Sequence, residues 1–361
     1  MKKNIIANSL NIAFSVVFLV AVFLLQLNPL SLITALIVTV TNMLLAVYSM
    51  GISEHPVIKI GPVSGSVYFF NIATFILQIL MVAAALSSSV WVTILCLFGA
   101  LVYLECLSLF LKDLFRAMKF HIAVTLSISF VTLILYSVLR VYRDFSFQIP
   151  TLPVALLFMA VYVYFMIKEK DFLKLTAYSA IFSEAVVLLS LGNYASQNIY
   201  GTILCLVGFT PVMFLLLLAA FTIEQTYQSE GEKEIGSVFV HFPVTGTGYL
   251  VGLLAILGFP PFSLFFGRLT ILQSAVTAEN WWSASLLAVV FAVSSYFLLT
   301  KAMPKLFGSR KDVLLTVKEK SFHNAMIIVL LVLVVVLTIL TPGFIDSLAS
   351  DARAYVLGVL S

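Results

Sequence analysis

Ten stretches of this chain are strongly apolar, nearly free of charged residues and 16 to 24 residues long. A helix that crosses a bilayer needs about 20 such residues, because lipid offers no partner to an unpaired backbone amide and the helix satisfies its own. We therefore predict a membrane-spanning helix in each stretch. The ten predicted spans are Ile5–Leu27, Leu30–Met50, Ser66–Ser87, Val90–Leu111, His121–Leu139, Leu152–Ile167, Leu173–Leu191, Ile199–Thr222, Ser283–Leu299 and Asn324–Leu340.

An eleventh apolar stretch, Val244–Ala278, is interrupted in its middle by Gly258, Pro260 and Pro261. If it crosses the membrane once, sixteen Lys and Arg residues lie on the side of the amino terminus and three on the other; if it crosses twice, the division is eleven to eight. Cytoplasmic loops carry an excess of positive charge, which favours the single crossing. We predict one discontinuous helix, broken near the bilayer midplane, where the freed backbone lies in protein or lines a wet cavity.

The composition indicates the same class of protein. Apolar residues make up 62% of the chain and charged residues 10%, against about 45–50% and 25% in soluble domains. A water-soluble globule could not cover its surface with so few charges, so soluble enzymes and nucleic-acid-binding proteins are excluded. The predicted fold is all-α, with about eleven transmembrane helices, the amino terminus in the cytoplasm and the carboxyl terminus outside. After the last span, Phe344–Ser361 has helical spacing and predicts an interfacial helix.

No pattern in the chain is typical of a catalytic, nucleotide-binding or metal-binding site. The cysteines, Cys96, Cys106 and Cys205, are far apart and lie in apolar stretches. Such cysteines suit helix packing better than a metal site or a disulfide framework. We therefore predict no cofactor and no metal in this chain.

Three ionisable residues lie well inside predicted spans: Glu105, Glu184 and Arg268. A charge that faces lipid costs several kcal/mol, so all three are expected to face protein or water. They either take part in ion transport or pair to hold helices together. An arginine keeps its proton at any accessible pH, so Arg268 sets a field or anchors a partner and does not pass a proton on.

Three short segments carry a resemblance to a known family. Residues 257–272, LGFPPFSLFFGRLTIL, are similar to the broken-helix pattern GLPPxxGFxxK, with Arg268 where the pattern has lysine or glutamate. Residues 171–181, DFLKLTAYSAI, resemble DLKRLLAYSSI, and residues 103–109, YLECLSL, resemble FWELLSL, in which Glu105 matches an essential glutamate. These patterns belong to the antiporter-like membrane subunits of respiratory complex I, multisubunit sodium/proton antiporters and membrane-bound hydrogenases.

The resemblance implies a shortened member of a fourteen-span family that lacks the first, sixth and seventh helices. It divides the single membrane domain 1–361 into an incomplete first half-channel (1–140), a second half-channel (150–301), and a last span with an interfacial helix (324–361). Thr132 stands where the family has a lysine, and the partner lysine of Glu105 is expected to be missing with its helix. A continuous chain of proton carriers therefore cannot be drawn through this subunit.

Two functions remain open on this resemblance. In the first, Glu105, Glu184, Thr132 and Arg268 take part in proton or sodium translocation, with hydroxyls such as that of Ser183 carrying water wires. In the second, the subunit couples its neighbours structurally and does not conduct. Both imply other membrane subunits as partners in the cell membrane, and any oxidoreductase activity belongs to the assembly. A stand-alone transporter for a small solute is the alternative, with a substrate pocket near Pro260 and Pro261.

Overall fold

The computed structural model describes residues 2–24, 27–51, 131–145, 151–169, 172–191, 195–229, 235–279, 281–308 and 321–359, with short pieces between residues 75 and 129. Within the long described ranges the chain forms twelve α-helices and a π-helical turn, and these ranges contain no strand. The helices are α1 Lys2–Leu24, α2 Pro29–Gly51, α3 Val131–Phe145, α4 Thr151–Lys168, α5 Phe172–Ser190, α6 Ser196–Ser229, α7 Val238–His241, α8 Pro243–Leu257, α9 Ser263–Thr277, α10 Trp281–Phe307, α11 Ser321–Leu340 and α12 Asp346–Val356. The π turn, Thr341–Ile345, joins the last two.

Four helical stretches in the described residues are long and apolar enough to cross a membrane: Pro29–Tyr48, Ser196–Glu224, Ala284–Phe307 and Ser321–Leu340. Further apolar helical stretches are shorter: Ser9–Ala21, Met159–Lys168 and Pro243–Leu257. The predicted all-α membrane fold is confirmed. The number of eleven spans stays a prediction, because parts of the third, fourth and fifth predicted spans lie outside the described residues.

Three helices continue well past the ends of the predicted spans. Helix α3 continues past Leu139 to Phe145, α6 past Thr222 to Ser229, and α10 past Leu299 to Phe307. The apolar run stops before the helix does, because helical backbone satisfies its own hydrogen bonds and continues into polar residues. Hydrophobicity therefore locates the part of a helix that suits lipid, and it does not locate the end of the helix.

The chain divides into two compact units, Met1–Phe147 with Ala354–Ser361, and Gln148–Arg353. In the first unit, α2 packs against α1 and against α3. Small residues are frequent in its core and let the helix backbones approach closely. Such close packing holds helices together in lipid, where the hydrophobic effect does not drive their association. One cluster of buried core residues in this unit consists of Phe18, Ala35, Val38, Val82, Ala84, Ala85 and Leu133.

Helix α6 is the centre of the second unit. Helices α5, α8, α9 and α11 all pack against it, and its 34 residues extend for about 51 Å. Phe214 and Leu217 in its middle are fully buried. Pro211 also lies inside this helix. Because proline has no N–H, the carbonyl of Val207 does not receive the usual helical hydrogen bond.

The stretch Val244–Ala278 folds as two half-helices, α8 and α9, on either side of residues 258–262. Contacts with α6 occur in one consistent order. In order along α6, the pairs are Gly201 with Gly267, Gly208 with Ser263, and Leu216 with Gly252. The two half-helices therefore continue one another past α6 as a single interrupted span. The predicted discontinuous helix, broken at Pro260 and Pro261, is confirmed.

Glycines bring α6 and α9 into close contact. A Cβ atom placed on Gly267 would lie 2.6 Å from Cys205 Sγ, and 3.0 Å from both Cys205 N and Gly201 O. Two of these three neighbours are backbone atoms, which cannot move aside as a flexible side chain does. This contact holds the second half-helix against the central helix by close packing, as is typical of helices in membranes.

We expect Gly267→Ala to lower the stability of the folded protein. The added methyl group overpacks the contact, which costs about 1–3 kcal/mol. Thermal unfolding of the purified protein in detergent measures the effect. Gly343→Ala is the matched control, since a Cβ atom there meets nothing within 4 Å. Equal unfolding temperatures for the two variants would contradict the tight packing of α9 on α6.

Candidate functional site

Arg268 lies on α9 shortly after the break, and its side chain is only 8% exposed. Its Nη2 donates a hydrogen bond to Ser183 Oγ on α5, at 2.5 Å. Its guanidinium carbon lies 5.1 Å from the centre of the Phe291 ring on α10. The hydroxyl and the aromatic face both favour a cation. The structure thus holds this arginine inside the protein, between two neighbouring helices.

The break in the helix brings Arg268 against the carboxyl end of α8. That end is formed by Gly258, which has φ of +77°. The N–H of Gly258 donates to Ala255 O and that of Phe259 to Leu254 O, a common way for a helix to end at glycine. A Cβ atom on Gly258 would lie 3.1 Å from Arg268 Nη1. Because a helix carries partial negative charge at its carboxyl end, this position stabilises the guanidinium.

Hydroxyl groups line one face of α5, from its first turn to the residue that contacts Arg268. Thr176, Ser179 and Ser183 are three and four residues apart, a spacing that places them on the same side of a helix, and all three are buried. Ser179 Oγ donates to the carbonyl of Thr176. Thr176 Oγ1 lies 3.1 Å from the hydroxyl of Tyr249 on α8. From Leu173 to Ser183 this polar face of α5 extends about 15 Å, half of the hydrocarbon thickness of a bilayer.

Aromatic rings and a lysine surround the start of this face. The ring of Tyr249, which is fully buried, has its centre 4.4 Å from that of Phe172, the first residue of α5. Lys305 of α10 places its Nζ 5.0 Å from the centre of the Phe172 ring. A positive charge therefore lies at the amino end of α5, as Arg268 does near its middle.

A buried carboxylate that the sequence analysis missed lies at the same end of α5. Glu224 of α6 is 7% exposed, and its Oε2 accepts a hydrogen bond from the N–H of Leu173 at 3.0 Å. Leu173 belongs to the first turn of α5, where N–H groups have no helical acceptor and carry partial positive charge. Glu224 lies two residues after Thr222, where the predicted span ends. The helix continues through Glu224, so a predicted helix that extended past the apolar run would have included this carboxylate.

The first unit contains Thr132, which was predicted at the family's lysine position. Thr132 is buried, and its Oγ1 donates to a backbone oxygen one turn earlier, at 2.7 Å. One turn later on α3, the hydroxyl of Tyr136 lies 2.9 Å from Ser31 Oγ and accepts a hydrogen bond from Arg140 Nη1. Arg140 Nε in turn donates to Asp144 at 2.9 Å. The hydroxyl of Thr132 is thus bound to its own helix, whereas its neighbours form a polar row.

Two predicted site residues have side chains that the structure does not describe. Glu105 lies outside the described residues, and Glu184 has its backbone in α5 while its side chain lies outside the described part. Their predicted roles stay predictions. Among the residues that the structure does describe, no group of three or more His, Cys, Asp or Glu residues suits a metal ion.

We expect Ser183→Ala to destabilise the protein more than Ser179→Ala. Ser183 accepts a hydrogen bond from a buried, charged donor, and removing such a partner costs about 1–3 kcal/mol. Ser179 lies on the same face of α5 but donates to the backbone of its own helix, so it is a matched control. Thermal unfolding of the two purified variants measures the difference. A Ser183→Ala variant as stable as the control would mean that this hydrogen bond does not hold Arg268.

Comparison with known proteins gives two kinds of relatives, although no family model matches the chain. NADH-quinone oxidoreductase subunit N of Campylobacter jejuni is 22% identical over 218 residues, which are 59% of this chain and 47% of that protein. A protein of Staphylococcus aureus named antiporter subunit mnhD2 is 26% identical over 187 residues, which are 52% of this chain and 38% of that protein. The chain thus spans less than half the length of these relatives.

Solved structures have the same fold over nearly the whole chain. A chain of the Mrp complex from Dietzia sp. DQ12-45-1b matches with a TM-score of 0.69 and 14% identity, over 99% of this chain and 95% of that one. A chain of respiratory complex I from Thermus thermophilus matches with a TM-score of 0.70 and 16% identity, over 96% and 95%. A chain of an archaeal membrane-bound sulfane sulfur reductase matches with a TM-score of 0.64 and 13% identity, over 92% and 84%.

These relatives and folds belong to the class of membrane subunits that the sequence resemblance predicted. The likeness to solved structures extends from the first helix to the last. The chain is therefore a homologue of NADH-quinone oxidoreductase subunit N and of the antiporter subunit mnhD2, and it has the all-helical fold of antiporter-like membrane subunits.

Proposed function

We propose that the chain is a membrane subunit of a multisubunit assembly related to complex I or to a multisubunit antiporter. Its homology to subunit N and to an antiporter protein supports this proposal, as does the fold that it shares with chains of the Mrp complex and complex I. Its partners are other membrane subunits and the lipid bilayer. Any redox chemistry belongs to other subunits of the assembly.

In this proposal the amino terminus lies in the cytoplasm and the carboxyl terminus outside. The division of basic residues, sixteen against three, supports that orientation. The amino end of α5, with Glu224 and Lys305 beside it, then lies on the cytoplasmic side. Residues 1–140 form an incomplete first half-channel, residues 150–301 a second one, and residues 324–361 the last span with an interfacial helix.

We propose further that the polar face of α5 is part of a path for protons or sodium ions. One observation carries this proposal: Arg268 is buried at the helix break and is hydrogen-bonded to Ser183, at the inner end of a row of hydroxyls that leads to the amino end of α5. The permanent charge of Arg268 sets the potential at that inner end. Glu105, Glu184 and Thr132 are further proposed members of the path.

A second candidate function is structural coupling between neighbouring subunits without conduction. Thr132 favours this candidate, because a hydroxyl that does not titrate near neutral pH stands at a position where the family has a titratable lysine. Arg268 favours it too, because a guanidinium does not release its proton. On this alternative, the buried charge holds helices in place and transmits the electrostatic state of one neighbour to the next.

Ion transport by the parent complex in sealed vesicles tests the ion path. We expect Arg268→Gln to lower the transport rate about tenfold, which corresponds to about 1.4 kcal/mol on a barrier, because glutamine keeps a polar side chain but carries no charge. Arg268→Lys is the matched control that keeps the charge, and it should transport faster than the glutamine variant. Glu105→Gln should also lower transport if the first half-channel takes part.

Assembly is measured beside transport, by native gel and by co-purification with a tagged chain. Unchanged transport in Arg268→Gln, with assembly intact, would contradict the ion path and support structural coupling. A wild-type chain that is stable and active without any co-purifying partner would contradict the proposed assembly itself. That second result would instead support a stand-alone transporter.

A further inference from the structure

We infer that Glu224 is the group that takes up protons at the cytoplasmic end of the polar face of α5. The inference rests on the proposed function, since it names the proton carrier at one end of the proposed path. In the step, the carboxylate of Glu224 takes a proton from hydronium in the cytoplasmic water, which leaves water, and becomes a neutral acid. It then gives the proton to the first hydroxyl or water of the row and returns to the carboxylate form. Each hydroxyl passes its own proton on as it accepts one, and water at the inner end of the row takes up the last proton.

The position of Glu224 suits an entry group. It lies at the end of the apolar part of α6, Ser196–Glu224, and its side chain is nevertheless buried. A carboxylate at that depth needs a protein partner, because burying a charge without one is costly. Glu224 finds this partner in the N–H of Leu173, so its carboxylate lies at the first turn of the helix that carries the hydroxyls.

The other buried ionisable groups do not suit this role. In the described part of the second unit, the buried side chains among Asp, Glu, His, Lys and Arg are Arg268, Glu224 and His323. Arg268 keeps its proton. His323 lies at the start of α11, which packs on α6 and α8. Glu224 is a titratable group with a hydrogen bond to α5 itself.

Hydroxyl groups continue from Glu224 into the protein. Thr176 follows Leu173 by one helical turn, and its Oγ1 donates to the carbonyl of Phe172 at 2.9 Å and pairs with the hydroxyl of Tyr249. A hydroxyl donates one hydrogen bond and accepts others, so it can pass a proton on when water or a neighbour completes the chain. Ser179, whose hydroxyl donates to the carbonyl of Thr176, and Ser183, which accepts from Arg268, follow on the same face of α5.

The surroundings of Glu224 hold its carboxyl group at the start of the hydroxyl row. The amino end of α5 carries partial positive charge, and the N–H of Leu173 in its first turn donates to Glu224 Oε2. Lys305 places its ammonium over the ring of Phe172 at that same end. These contacts keep the carboxyl group at the end of α5 from which the hydroxyls start.

Glu224→Gln tests the inference in the assembled complex. Glutamine has the same size and its side-chain oxygen can still accept from the N–H of Leu173, so the cap on α5 is kept while the titratable group is lost. We expect assembly to remain intact on a native gel and proton transport in sealed vesicles to be lost. Glu279→Gln makes the same chemical change at an exposed carboxylate and should transport as the wild type does.

Full transport in Glu224→Gln would overturn the inference and leave Glu224 as a cap of α5. The two variants distinguish this inference from the proposed function. Lower transport in Arg268→Gln together with full transport in Glu224→Gln would contradict the role of Glu224 and leave the ion path standing. Full transport in both variants, with assembly intact, would sink the ion path as well.

A second measurement uses the wild-type complex, so its result does not depend on whether a variant folds. Hydrophobic carbodiimides react with buried carboxyl groups in their protonated form. We expect the reagent to form an adduct on Glu224, detected by mass spectrometry, and to inhibit transport in proportion to that adduct. An unmodified Glu224 in fully inhibited complex would contradict its role as a proton carrier.

Discussion

The carboxyl end of α8 has to be satisfied inside the protein, and the rest of the second unit depends on that constraint. In a bilayer a broken helix leaves backbone groups that lipid cannot bind. Here the chain turns at Gly258, whose left-handed conformation directs two N–H groups back to the last carbonyls of the helix. The guanidinium of Arg268 lies against the same end. The backbone at the break thus determines where the buried charge lies. The neighbouring helices α5 and α10 supply the hydroxyl and the aromatic ring that cover this charge.

Much of this arrangement could be read from the sequence. Gly258, Pro260 and Pro261 are residues that end a helix, and they interrupt a stretch with no other reason to stop. Arg268 in an apolar stretch had to face protein, because the cost of facing lipid is too high. The division of basic residues between the two sides selected a single crossing, and the order of contacts along α6 agrees with it. Strong local rules with few alternatives made these features predictable.

The polar face of α5 could not be read in the same way. Glu224 lies beyond the apolar run, where a charged residue is normally solvated, and its burial depends on α5 lying beside it. Tyr249 is one of many aromatic residues in the chain, and its bond to Thr176 joins residues far apart in sequence. Threonines and serines often bond to their own helix, as Thr132 does. Whether a hydroxyl meets another helix depends on tertiary packing, which the local sequence does not specify.

Pro211 lies within one turn of Gly208, and Gly208 contacts the first residue of α9, directly after the break. The central helix therefore lacks one backbone hydrogen bond at nearly the same depth at which its discontinuous neighbour lacks several. Bending α6 at this level therefore breaks fewer backbone hydrogen bonds than bending it elsewhere, and the guanidinium of Arg268 lies against the broken neighbour there.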